Sequence, residues 1–176
     1  LFTSQLSDAL DYIHRLKIIH RDIKPNNIIV SPDNSTVKLI DFGTARDLAR
    51  TTDLITQVGT ETYSAPEHLS MTENSILSPA ADVYALAKNV YFMLTGSAPT
   101  AFRQKPITAF LVQHNSENFS QPVLEVLKRA TDNFPENRYQ SAAAFMKDLT
   151  EAFEATTIRT RHSAQREIRK DGFVIN

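Results

Sequence analysis

Eight consecutive residues, His20 to Asn27, read HRDIKPNN. They crowd an imidazole, a guanidinium, a carboxylate, an ammonium and two amides into a stretch flanked by apolar segments. A plain connecting loop needs none of these groups. Asp22 and Asn27 stand either side of Lys24, and a second carboxylate, Asp41, follows after two short apolar runs. If those runs pair as a hairpin, the chain returns to its starting edge and Asp41 comes beside Asn27. Asn27 and Asp41 then offer two hard oxygen donors, the kind Mg²⁺ takes from a protein when phosphates complete its shell. Lys24 is a point cation suited to a phosphate under transfer. Asp22, kept off the metal, suits a base that orients a hydroxyl and accepts its proton. Such chemistry asks a protein for positioning and charge, and for little covalent work.

Positioning requires elements. Phe2, Leu6, Ala9, Leu10 and Ile13 recur at three- and four-residue steps, which predicts an amphipathic helix from about Leu1 to Leu16. Ile28–Val30 and Val37–Ile40, joined by the turn residues SPDNST, predict a small antiparallel hairpin. Ser78 as cap, Pro79 in the first turn and Gly96 at the end punctuate a third element. Val83, Leu86, Ala87, Val90 and Leu94 form one of its faces, and Tyr84, Phe92 and Met93 make the other side apolar too. A helix apolar nearly all round is buried, so this one is expected to be the central post. Asp82 near its start then needs partners, and N–H groups of loops or helix ends are the natural ones.

The remainder reads as helices. KPITAFLVQ (Lys105 to Gln113) is expected to form a short one. A helix with Pro122 in its first turn should bury Val123, Leu124, Leu127 and Ala130. Another, capped by Ser141, should bury Phe145, Met146, Leu149 and Phe153. Thr44 to Ser64 is long, polar and irregular, which in a compact domain marks a functional or mobile segment. From Glu154 periodicity fades and Arg159, Arg161, Arg166, Arg169 and Lys170 cluster, predicting a basic tail or linker over 154–176.

With 176 residues the chain suffices for one domain with a real core. A hydrophobic fraction of 41% and a charged fraction of 22% are those of a globular protein, and a net charge of -1 argues against nucleic acid as a partner. The absence of cysteine removes disulfides and thiolate chemistry and agrees with a cytoplasmic setting. No apolar run approaches the roughly 20 residues that cross a bilayer. The helical rhythm starts on the first residue without a cap, so the chain is expected to be a piece of a longer protein.

HRDIKPNN, DFG at Asp41–Gly43 and APE at Ala65–Glu67 occur in the order and rough spacing of eukaryotic-type (Hanks-type) serine/threonine protein kinases, which this chain resembles. Asp82 and Arg138 match two further positions of that family. The resemblance covers about Leu1 to Phe153 and suggests a bacterial member. It implies an α+β, protein kinase-like fold: a mainly α-helical C-terminal lobe with a small β-hairpin over residues 1–153, then the tail of 154–176. The N-terminal lobe is expected to be absent. The chain has only 4 glycines, at 43, 59, 96 and 172, and no glycine-rich nucleotide loop can be built from them.

The resemblance also implies roles. Asp22 would position the acceptor hydroxyl, Lys24 would stabilise charge, and Asn27 and Asp41 would hold Mg²⁺ with ATP. Lys24, two residues after Asp22, marks serine/threonine specificity, and Thr60 would hydrogen-bond Asp22 and Lys24. Arg21 marks the class switched by phosphorylation of the following loop. Thr51, Thr52 and Thr56 are its candidate acceptors, with Thr56 slightly favoured. Structural parts fall to His20, Phe42, Asp82 and the pair Glu67–Arg138. Asn26 replaces the glutamate that many relatives use to read basic substrates, so a preference for arginine-rich sites is unsupported. Ala87 stands where the central helix usually has glycine. The implied partners are protein substrates and the missing lobe in cis, with no nucleic acid and no membrane segment in this chain. Two alternatives stay open: a pseudokinase or truncated lobe that docks partners through residues 102–112, and a small-molecule phosphotransferase of the aminoglycoside or choline kinase type. Lys24 and GTETYSAPE (Gly59–Glu67) rank the latter last.

Overall fold

The architecture follows from one buried helix and the amphipathic helices that shield it. The structure, a computed structural model, describes residues 2–42, 46–47, 60–69, 78–111 and 121–171, with the backbone alone for 46–47, 60, 69 and 158–171. Helix α1 (Phe2–Arg15) buries Leu6, Leu10 and Ile13, the stripe its periodicity predicts. Strand β1 (Ile18–Ile19) leads into the polar loop, and a 3₁₀ turn at Pro25–Asn27 delivers the chain to β2 (Ile28–Val30). β3 (Val37–Leu39) pairs antiparallel with β2 in the register Ile28↔Leu39, Ile29↔Lys38, Val30↔Val37. Asp33 organises the turn between them by accepting from the hydroxyls of Ser31 and Ser35 and from the Ser35 amide. A second two-stranded ribbon, in which β4 (Arg46–Asp47) pairs with β1, was not expected. Two residues per strand are too few to show a period of two.

After α2 (Pro66–Leu69), α3 (Pro79–Thr95) is the central post: every residue from Ala80 to Tyr91 is buried. It ends as expected on Gly96, at φ +67, whose N–H donates to the Phe92 carbonyl. Its start departs from expectation. Ser78 has extended cap geometry but makes no side-chain cap bond, and its hydroxyl is buried without a partner among the described residues. The last turn also emerges from the core, leaving Met93 43% exposed. Helices α4 (Gln121–Ala130) and α5 (Ala142–Asp171) pack on one another, and α5 also lies against α1. α4 buries Val123, Leu127 and Ala130, with Leu124 half-buried. Ser141 caps α5 through the Ala144 amide at 3.1 Å. In α5 the buried stripe runs Ala142, Phe145, Leu149, Ala152. Phe153, one residue or about 100° further round, is exposed rather than buried, and Met146 is half-buried. Where the apolar rhythm fades at Glu154 the backbone stays helical, through Asp171.

The helix expected at KPITAFLVQ does not form; residues 105–111 are irregular, and 112–113 lie outside the described residues. Pro106 supplies no N–H, and tertiary partners take the backbone groups that a helix would use. The Ile107 amide donates to Thr131 Oγ1 at 2.8 Å, and the Leu111 amide to the Tyr91 hydroxyl at 3.1 Å. Lys88, fully buried in α3, donates to the carbonyls of Phe102 (2.6 Å) and Lys105 (2.8 Å) and lies over the Tyr84 ring.

Burial pushes the Lys88 ammonium from its ordinary 10.5 down to about 7. Between those values the unfolded chain holds the extra proton, so stability rises as pH climbs through that window; below it both states are protonated and the dependence vanishes. The expected gain is roughly 2 kcal/mol from about pH 7 to about pH 9. Unfolding curves at those two pH values check it: a Lys88→Met variant should lose the rise.

Candidate active site

The polar loop is held from beneath by α3. Asp82 is fully buried and accepts three hydrogen bonds: from the His20 amide (2.9 Å) and His14 Nε2 (2.8 Å) at Oδ2, and from the Arg21 amide (2.9 Å) at Oδ1. This is the N–H partnership that a carboxylate at the head of a buried helix requires. It also holds Arg21 at φ +72, a conformation that costs a bulky residue about 1–3 kcal/mol unless its surroundings enforce it.

His20 connects the loop to the end of the hairpin. Its Nδ1 accepts from the Asp22 amide at 3.4 Å, and its Nε2 donates to the Ile40 carbonyl at 3.2 Å. One acceptor and one donor match a single neutral tautomer. Burial lowers the pKa of the ring, against the pull of the Asp82 carboxylate, and so favours that neutral form. The ring also packs against Phe42, with centroids 4.7 Å apart. His20 thus packs in the core and bridges the loop to the end of the hairpin.

Asp22 lies 4% exposed at the centre of the loop. Its Oδ2 accepts from Lys24 Nζ at 2.7 Å and from Asn27 Nδ2 at 2.9 Å. Asn27 gives its other amide proton to the Asp22 carbonyl at 2.8 Å. Both donors of the Asn27 amide are thus spent on Asp22, which fixes the amide's orientation and turns its oxygen away. Asp22 Oδ1, by contrast, is buried without a hydrogen-bond partner among the described residues. The Ile40 amide donates to the Asn27 carbonyl at 2.9 Å, extending the hairpin ladder by one rung. Asp41 thereby follows directly on the residue opposite Asn27, at φ +63, a conformation aspartate tolerates better than most side chains. The hairpin thus brings the backbones of Asn27 and Asp41 to the same end of the ribbon.

Glu67 and Arg138 meet as a two-pronged ion pair, with Nη1–Oε1 at 2.6 Å and Nη2–Oε2 at 2.8 Å. Arg138 also donates to the carbonyls of Asp132 and Asn133 and lies over the Tyr84 ring. Thr51, Thr52, Thr56, the side chain of Thr60 and Gly43 of the DFG run fall outside the described residues. Sequence reasoning missed His14 and Asn89. Asn89 was legible as a polar residue seven positions after Asp82, hence on the same helix face. His14 was legible as the imidazole in the last turn of α1.

The sequence model of the protein kinase domain family matches residues 1–171. This chain belongs to that family. The described part of the kinase domain is mostly helical, with two small antiparallel ribbons. Serine/threonine-protein kinase PknB of Mycolicibacterium smegmatis is 37% identical over 161 residues, covering 83% of this chain and 25% of that protein. The probable serine/threonine-protein kinase PknB of Bifidobacterium longum is 34% identical over 188 residues, covering 93% of this chain and 26% of that protein. PknF of Mycobacterium tuberculosis is 35% identical over 160 residues, 82% of this chain and 32% of that protein. The chain thus spans about a quarter to a third of the length of these relatives. Among the described residues no helix is long and apolar enough to cross a membrane.

Proposed function

We propose that residues 1–153 are the catalytic C-terminal lobe of a bacterial Hanks-type serine/threonine protein kinase, followed by a basic tail or linker over 154–176, and that the protein acts in the cytoplasm. The observation that carries this reading is the Asp22 carboxylate: one oxygen is held by Lys24 and Asn27, and the other is buried with no partner among the described residues. The donor set fits Mg²⁺ with ATP. Asn27 keeps its amide oxygen for a cation, Asp41 adds a carboxylate on the same edge, and two hard oxygens suit a metal whose shell phosphates complete. Asn27 and Asp41 would hold Mg²⁺, and MgATP supplies the transferable γ-phosphoryl group.

The chain's own residues then do the following. Asp22 Oδ1 accepts a hydrogen bond from a serine or threonine hydroxyl of a protein substrate and takes its proton as the oxygen attacks. Lys24 keeps a positive charge beside the carboxylate for the charge that develops on transfer. Thr60 orients these two. Arg21 receives a phosphate placed on Thr51, Thr52 or Thr56 and so couples activity to that loop. Ile29, Val30, Ile40 and Phe42, in and just after the hairpin, are exposed apolar residues that an upstream lobe could cover in part.

Incubating the full-length protein with ATP, Mg²⁺ and a generic protein substrate should yield phosphoserine or phosphothreonine, and chelating Mg²⁺ should stop the reaction. Phosphotyrosine, or transfer only to a small-molecule alcohol, would overturn the reading. So would the absence of any transfer.

A further inference from the structure

Asp82 and Asn89 stand seven residues apart in α3, two turns, and so share one helix face. Asp82 fixes the amides of His20 and Arg21, immediately before Asp22. Asn89 reaches the segment just after it. Its Nδ2 donates to the Ile23 carbonyl at 3.1 Å and to the Ala85 carbonyl at 2.8 Å. Only the NH₂ end of an amide can serve two carbonyls, so the orientation of the side chain is settled. Its oxygen pays the consequence: Oδ1 is buried with no partner among the described residues, and Asn89 is 1% exposed.

Stability does not account for this residue. Asparagine is a poor residue for a helix interior, and an unsatisfied buried oxygen is unfavourable. Leucine has nearly the same shape and removes both of these penalties, though it takes the side-chain donor away from the Ile23 carbonyl. What the amide achieves is orientation. The carbonyl of Ile23 lies in the plane of the peptide that joins Ile23 to Lys24, and a planar peptide held by its oxygen fixes the direction in which the next Cα leaves. Ile23 itself is 1% exposed and packed in the core, so the loop is gripped at its side chain and at its carbonyl.

We propose that Asn89 is a positioning residue for phosphotransfer: with Asp82 it clamps the loop backbone on both sides of Asp22 and sets the placement of Lys24 against the Asp22 carboxylate. The inference rests on the role proposed above for Asp22 and Lys24.

The test compares Asn89→Leu with the parent in the full-length protein, with Asp22→Asn assayed alongside. Asn89→Leu should melt within about 4 °C of the parent or above it. Its kcat should fall roughly 10- to 100-fold, the scale of a misplaced catalytic group, with little change in KM for ATP. The Lys24 amide should exchange hydrogen faster. Unchanged kcat in a folded Asn89→Leu variant overturns the proposal, and so does a larger loss of melting temperature, since the amide would then be structural. If the parent transfers no phosphate, the reading of Asp22 fails by itself. The exchange rate at Lys24 then decides for Asn89, and an unchanged rate counts against it.

Discussion

Asp22→Asn is expected to lower kcat for phosphotransfer by about 10²- to 10⁴-fold, the range for loss of a general base, while melting temperature and ATP binding stay close to the parent's. The reason lies in how the two carboxylate oxygens are used. Oδ2 accepts from both Lys24 and Asn27, whereas Oδ1 has no partner among the described residues. An asparagine there must turn its oxygen towards those two donors, because an NH₂ group facing an ammonium and another NH₂ group has nothing to accept it. The amide nitrogen then occupies the position of Oδ1. A donor stands where the incoming hydroxyl needs an acceptor, in a side chain of the same shape. Steady-state kinetics on the full-length protein check this, and an unchanged kcat would remove Asp22 as the base.

The second large effect concerns stability. Glu67→Ala should cost about 3–5 kcal/mol, the scale of breaking a buried ion pair by removing one partner. Arg138 has no exposed side-chain surface, and Glu67 has 15%. Without the carboxylate, the guanidinium keeps, among the described residues, backbone carbonyls and the face of Tyr84 as partners. Such a loss is a large share of the 5–15 kcal/mol that usually separates folded from unfolded states. It should show as a lower urea midpoint at unchanged slope. Arg138→Met added to Glu67→Ala should cost less than the sum of the two single changes, because the second substitution removes the stranded charge. Strict additivity of the two would show that the pair is not coupled.

Much of this was legible in the linear chain where local rules act alone. The stripe of α1, the pairing of Ile28–Val30 with Val37–Leu39 and the Gly96 terminus follow from periodicity, strand length and a left-handed φ. The prediction that Asp41 returns to Asn27 needed only the geometry of a hairpin, and the Ile40 amide on the Asn27 carbonyl bears it out. That Asp82 requires N–H partners was also legible, since a buried carboxylate without them is too costly to keep.

Which partners it finds was not legible. His14 and the amides of His20 and Arg21 lie more than sixty positions from Asp82, and only the packing of α1 and the loop on α3 brings them there. The irregular path of 105–111 was hidden for the same reason: its apolar residues fit a helix, but Lys88, Tyr91 and Thr131 compete for its backbone groups from other elements. Phe153 was misplaced because either of two adjacent apolar residues could have ended the stripe, and contact with α1 and α4 selected Ala152. The residue types in HRDIKPNN determined by themselves what chemistry the loop can do. The tertiary structure decided which oxygen of Asp22 is held by Lys24 and Asn27 and which is left without a partner among the described residues, because that depends on where those two side chains end once the loop is fastened to the buried helix.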